Sequence, residues 1–315
     1  MSNRSNATTA EAVTQPAGLR SPSPQSGLWG RTLQSGAVLG AIGVLGFSFS
    51  LPATRLALRD LDPWVVAFGR AAVAAGLAFL VLRAARASLP TRTQWRRLAI
   101  VAGGVVIGFP LLTSIALHHR TAAHGAIVVG LVPAATAVMA VLRAGERPSP
   151  AFWLASAAGT VAVLVFAFVS GAGALQLTDV ELLAAVVLVA LGYAEGGALA
   201  RELGGTHTIC WALVLSAPLL VPVAAVRVAQ TGFHVHADSA FGFAYVSTIS
   251  MFAAFFAWYA GLARGGVARI GQIQLAQAPL TLLWAGLLLG ERVTLGSALT
   301  AVLVVGCVAA TQRAR

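Results

Sequence analysis

The chain contains no lysine: its 21 basic residues are all arginine, set against only ten acidic ones in 315 residues. Charged residues make up 10% of the sequence, where a soluble domain carries about 25%. So few charges cannot cover a water-exposed surface. The two cysteines, Cys210 and Cys307, both lie in apolar stretches and offer no disulfide framework. No Walker-type glycine-rich loop is present, which argues against direct coupling to ATP within this chain. Connections between apolar stretches are short and no soluble module stands apart to hold an enzyme. No nucleophile or metal constellation suggests one, and nothing calls for a cofactor.

What is present is hydrophobic, at 58% of residues. Ten apolar stretches of about 20 residues run over approximately 33–57, 64–84, 97–117, 122–144, 152–171, 179–201, 207–228, 240–262, 268–289 and 295–312. Each is long enough to cross about 30 Å of hydrocarbon as a helix. The expected fold class is an all-α polytopic membrane protein of ten transmembrane helices, with the lipid bilayer as its first partner. Residues 1–30, rich in Ser, Thr, Pro, Gln and Ala, read as a disordered tail. The net charge of +11 does not indicate nucleic acid, because the arginines sit between apolar stretches and not on a soluble face. With a cytoplasmic N-terminus, 15 arginines fall on the cytoplasmic side and five outside, namely Arg55, Arg59, Arg120, Arg227 and Arg292; Arg70 stays within a span. The positive-inside rule then puts both termini in the cytoplasm.

The apolar sequence repeats itself. Gly145-Glu146-Arg147 recurs as Gly290-Glu291-Arg292, each copy preceded by a proline, Pro133 or Pro279, and each proline by a glycine eight residues earlier, Gly125 or Gly271. One membrane unit has been duplicated, giving repeats at 31–171 and 172–315. Each holds five spans, so the second enters the membrane from the opposite side. Inverted repeats of this kind place substrate near the midplane where the halves meet. Gly36, Gly40 and Gly43 share one face of the first span and predict close helix packing. Pro52, Pro110, Pro133, Pro218, Pro222 and Pro279 lie inside spans and should open their helices, freeing carbonyls that need new partners.

Taken together, Gly46 through Arg55, Pro63, Arg70 and the two proline and Gly-Glu-Arg segments resemble the EamA family of the drug/metabolite transporter superfamily. The likeness runs from about residue 34 to the end, departing from the common pattern at Leu45, where a tryptophan is usual. It implies an inner-membrane exporter of small metabolites whose cavity is lined by spans 1, 3, 4, 6, 8 and 9. Similarity to members of the YddG type implies amino acids as cargo. The family pattern sets Arg70, on span 2, away from the cavity, which gives it a structural role.

Within that frame, several residues are candidates for substrate contact. Glu195, late in span 6 with Tyr193 two positions before it, either faces the cavity as a proton carrier or ammonium partner, or reaches the cytoplasmic boundary. Gln274 and Gln277 share a face of span 9 ahead of Pro279, suited to a zwitterion or to bonding between helices. Phe255, Trp258 and Tyr259 on span 8, with Trp284 on span 9, form either an aromatic wall or an interfacial belt. Ser48 and Ser50 on span 1, and Thr113 and Ser114 on span 3, are polar contacts unless their hydroxyls bond their own helices. Glu146 and Glu291 are expected to fix helix ends. His234 and His236 precede Asp238 with metal-like spacing, but without a carboxylate cage or cysteines they read as solvated loop residues.

The resulting expectation is a transporter exporting amino acids or related small metabolites by alternating access, with protons as a possible coupling ion. Efflux of hydrophobic drugs is the rival reading within transport; a membrane scaffold or sensor subunit is the rival from another class.

Overall fold

The computed structural model describes residues 35–169 and 177–290, with residues 303, 306, 307, 310 and 313 beyond them. The expected N-terminal tail, Glu291, Arg292 and most of the tenth span lie outside the described residues. Every regular element among the described residues is helical.

In chain order the helices are α1 (Gly36–Ala57), α2 (Val65–Ala84), α3 (Arg92–His119), α4 in two pieces (Ala122–Val129 and Val132–Ala144), α5 (Pro150–Val169), α6 (Leu177–Leu203), α7 (Gly205–Thr231), α8 (Ala237–Gly265) and α9 in three pieces (Val267–Gly271, Gln272–Ala276 and Gln277–Leu289). Six of them, α1, α2, α3, α6, α7 and α8, are long and apolar enough to cross a membrane. The chain is a multi-pass membrane protein. Large apolar side chains such as Leu80, Leu142, Leu154 and Leu287 point outward, as helices dissolved in lipid require.

Two helices start earlier than hydropathy suggests, because capping outweighs charge. The Arg-rich segment up to Arg96 was expected to be a loop, yet α3 begins at Arg92: the Thr91 hydroxyl accepts from the Gln94 amide and the Gln94 side chain accepts from the Thr91 amide. That reciprocal box satisfies two of the free N–H groups of the first turn. Likewise Ser239 accepts from the backbone of His236 and starts α8 at Ala237.

The duplicated segments end alike. Gly145 closes α4 at φ 67° and Gly290 closes α9 at φ 69°, each returning its N–H to the carbonyl of an alanine five residues earlier, Ala140 or Ala285. Only glycine enters this left-handed cap without strain. Glu146 caps the start of α9: its two oxygens accept the backbone N–H groups of Val267 (2.7 Å) and Ala268 (2.8 Å), and Arg201 donates to it at 3.1 Å. The expectation that Glu146 fixes a helix end holds, although the end belongs to α9 and not to its own helix.

Close backbone packing joins α1 to α8. A Cβ on Gly36 would lie 2.7 Å from the Gly265 nitrogen, and one on Gly261 would lie 2.7 Å from that of Gly40. With no hydrophobic drive between helices in lipid, backbone approach of this kind supplies the contact. Helices α3 and α6 meet in the same way, where a Cβ on Gly104 would fall 2.2 Å from the Leu188 carbonyl oxygen.

Candidate functional site

Regular α-helix fails at several places, and the failures converge. Pro52 cannot donate to the Ser48 carbonyl, and α1 is interrupted at Phe49. The freed carbonyl accepts a hydrogen bond from the Thr281 hydroxyl at 2.7 Å. Pro133 and Pro279 likewise have no N–H for Val129 and Leu275; α4 breaks after Val129, and α9 tightens into a 3-10 turn over Gln272–Ala276. Wide π turns occupy Val65–Gly69 in α2, Ala102–Gly108 in α3 and Val246–Ala253 in α8. In α3 three glycines weaken the helix. In α8 the hydroxyls of Ser247 and Thr248 compete for carbonyls four residues back.

Side chains from the interrupted helices, joined by two from the regular α6, line one cavity. Phe47, Ser50 and Leu51 come from α1, Arg70 from α2, Val105 and Phe109 from α3, Val189 and Tyr193 from α6, Ser250, Met251 and Phe255 from α8, and Gln274 and Gln277 from α9. The cavity is contracted, with a volume of about 30 Å³. That holds roughly two waters and no larger solute. A smaller hollow shares Leu51, Gln274 and Gln277 and extends to the break in α4 at Gly130.

The polar groups in the lining cross between helices. The Ser50 and Ser250 hydroxyls are 2.7 Å apart and join α1 to α8. The Gln274 amide donates to Gln277 at 3.0 Å and, more weakly, to the Tyr193 hydroxyl at 3.4 Å. Gln277 reaches the Phe47 carbonyl at 3.5 Å. Two buried polar atoms of the lining have no partner, Nε of Arg70 and Oε1 of Gln274. Aromatic rings pack beside them, Phe47 against Phe255 with centroids 4.8 Å apart and Tyr193 against Trp258 at 5.3 Å.

Ion pairs tie the bundle together at either end. At one end Glu195, 5% exposed, accepts from Arg97 of α3 on one oxygen and from Arg143 of α4 at 2.9 Å on the other. Arg97 also reaches Glu202 at 2.5 Å, and Gln94 donates to Glu202 at 3.0 Å. At the other end Arg59 pairs with Asp238, and Arg227 forks onto Asp62 at 2.8 and 3.3 Å. There Asp60 accepts from the Ser239 hydroxyl, the His236 amide (2.8 Å) and the His236 ring (2.9 Å). These donors hold the Asp60 carboxyl down at about 2, the Ser239 hydroxyl contributing most, and Asp60 in turn raises His236. His236 is therefore an ion-pair partner in this loop.

Of the sequence candidates, Ser50, Tyr193, Phe255, Gln274 and Gln277 meet in the cavity. The others do not line it. Ser48 accepts from the Trp284 indole at 3.0 Å, Thr113 bonds the Phe109 carbonyl of its own helix, and Ser114 is buried with its hydroxyl unpartnered. Trp258 and Tyr259 are fully buried among helices, the Tyr259 hydroxyl donating to the Gly192 carbonyl at 3.2 Å, so neither presents a ring to the outer surface of the bundle. Glu195 sits in its arginine clamp. The lining also holds Ser250 and Arg70, which the sequence does not assign to substrate contact. Ser250 carried no signal in the sequence beyond its hydroxyl, whereas Arg70 carried the strongest one available, a charge inside a span. It was assigned to structure because the family pattern points it away from the cavity; the π turn just before it places it in the lining.

Relatives agree with this architecture. The model of the EamA-like transporter family matches the chain twice, over residues 34–168 and 177–311. Over 281 residues the chain is 48% identical to a Bacillus subtilis (strain 168) protein named "Uncharacterized transporter YdeK", covering 89% of this chain and 97% of that one. A solved crystal structure shares the fold with a TM-score of 0.70 at 18% identity, covering 89% of this chain and 99% of the other. A transporter, and not an enzyme, is what these likenesses and the helical bundle describe, and the chain belongs to the EamA-like transporter family.

Proposed function

We propose that the protein exports amino acids or related small metabolites across the inner membrane by alternating access, without ATP. The observation that carries this reading is the contracted cavity, which combines hydroxyls, amides and aromatic rings and lies between two ion-paired ends. Both ends are tied, so the conformation is an occluded one, and cargo enters only when one end parts. The arginine asymmetry orients the pathway: the Glu195 end faces the cytoplasm, the Asp60 end faces outside, and both termini are cytoplasmic.

In this reading the chain is ten helices in two inverted repeats, 31–171 and 172–315. Three correspondences support the inversion: left-handed glycine caps end α4 and α9, π turns interrupt α3 and α8, and glycine contacts join α1 to α8 and α6 to α3. Ser50, Tyr193, Phe255, Gln274 and Gln277 contact the substrate. Glu195 acts as a cytoplasmic latch, and any coupled proton would act by releasing it.

Counterflow of labelled amino acids into proteoliposomes, with and without a pH gradient, tests the proposal. Uptake of at least one amino acid is expected. Uptake of none, alongside uptake of a hydrophobic cationic dye, would move the assignment to drug efflux, which the apolar half of the lining (Phe47, Phe109, Met251, Phe255) would suit.

A further inference from the structure

Arg70 is 3% exposed, lines the cavity, and has an Nε with no hydrogen-bond partner. Among the described residues no carboxylate pairs with it. Asp60, Asp62 and Asp238 are engaged at one end of the bundle and Glu146, Glu195 and Glu202 at the other, while Asp179 and Glu181, in the first turns of α6, lie outside the cavity lining. A buried charge without a counter-ion is among the most unfavourable arrangements a membrane protein can hold. A cavity with room for about two waters hydrates it only in part. An arginine kept here in the absence of an acid is matched to an anion that arrives with the cargo.

We infer that Arg70 is the binding residue for a carboxylate of the transported substrate. The inference rests on the transport reading above and narrows it from small metabolites to carboxylates. The planar guanidinium fork fits the two oxygens of a carboxylate. The same cavity holds an unpartnered acceptor, Oε1 of Gln274, and the rings of Phe47, Tyr193 and Phe255. An acceptor and ring faces suit an ammonium group. Together with Arg70 they complement a zwitterion end to end. A neutral apolar compound would leave Arg70 unpaired, and a cation would be repelled by it.

The π turn over Val65–Gly69 makes this placement possible. Arg70 is the first residue after it, its N–H bonded to the Val66 carbonyl. One extra residue per turn rotates everything that follows, and such turns recur at functional sites for this reason. Without it, the packing face of α2 would pass elsewhere.

The test compares matched ligands on the purified full-length protein, following thermal unfolding by tryptophan fluorescence. Benzoate should raise the midpoint, while benzamide and benzylamine, of the same shape without the carboxylate, should not. R70K should weaken the benzoate response on the order of 10- to 100-fold, because the charge survives and the fork does not. R70M should abolish it. Equal responses of the wild-type protein to benzoate and benzamide would overturn the inference and need no variant to be folded; so would a benzoate response retained in R70M. Carboxylate binding without any amino-acid counterflow would remove the amino-acid reading and leave Arg70 in its role. Amino-acid counterflow with no preference for benzoate over benzamide would do the reverse.

Discussion

Replacing Glu195 with glutamine should unlock the end of the bundle where α3, α4 and α6 meet. The wild-type carboxylate is 5% exposed and takes one arginine on each oxygen, Arg97 at 25% and Arg143 at 43% exposure. Breaking a buried ion pair by removing one partner costs about 3–5 kcal/mol. Both arginines reach solvent and Arg97 keeps Glu202, so screening reduces this to about 2 kcal/mol. Because that loss falls on the conformation closed at this end, the balance should move toward the open one by roughly 30-fold. A cysteine at Ser250, in a Cys210→Ala, Cys307→Ala background, reports it. Modification by a membrane-impermeant thiol reagent applied from the Glu195 side should accelerate in Glu195→Gln, and modification from the Asp60 side should slow. Combining Glu195→Gln with Arg143→Ala should add little, since both remove the same contact. Rates unchanged from both sides would refute the idea that the clamp holds the cavity shut. Unchanged export and pH dependence would remove Glu195 from the mechanism altogether.

Three further outcomes are expected. Gly261→Ala sets a methyl 2.7 Å from the Gly40 nitrogen and should lower stability in detergent by about 1–3 kcal/mol, whereas Gly76→Ala, with nothing within 4 Å, should be neutral or slightly stabilising. Thr281→Val strips the Ser48 carbonyl of its donor and should destabilise by about 1–3 kcal/mol; adding Pro52→Ala restores a backbone donor to that carbonyl, and failure of the double variant to recover stability in thermal unfolding would contradict the account. His236 gains its proton affinity from Asp60, so its contribution is fully present below the unfolded value of 6.5 and fades as pH rises through the raised folded value, while that of Asp60 is lost only as pH falls from 3.8 through about 2. The difference in melting temperature between wild type and His236→Gln should therefore be largest between about pH 4 and 6.5 and shrink at alkaline pH; a gap that widens at alkaline pH would rule this out.

The described helices were legible because their signals are chemical and local. Apolar length marks the spans, prolines mark the breaks in α1, α4 and α9, and glycine spacing marks the approach of α1 to α8. The amides of Gln274 and Gln277 were found from their shared face. The π turns were not legible. Only the one in α3 has a proline at its exit, Pro110, which has no N–H for the Val106 carbonyl; the others depend on small differences in carbonyl competition along an otherwise uniform helix. Since they shift the register, they decide which side chains reach the cavity. This is why Arg70 was noticed as a charge and assigned to the wrong surroundings, and why Ser250 went unnoticed. The role of Trp258 and Tyr259 was obscured for a different reason: their nearness to a helix end suggests an interface, but close glycines on α1 and α6 let other helices cover them.

The case for the cavity as the working site does not depend on the family. Folded chains satisfy their polar groups and keep their helices regular unless something else is gained. At the two ends of the bundle several carboxylates are well satisfied: Glu146 caps α9, Asp60 collects three donors, and Glu195 is paired twice. Around the cavity these rules are broken together. A guanidinium lacks a counter-ion, an amide oxygen lacks a donor, and π turns, a 3-10 turn and a proline break all face the same space. Each departure costs stability in the unloaded protein. A ligand bearing a carboxylate and a hydrogen-bond donor would cancel the first two directly, so a cavity widened enough to admit it would gain what the contracted one lacks. In the proposed cycle cargo acts only through such a differential, by binding one conformation better than another.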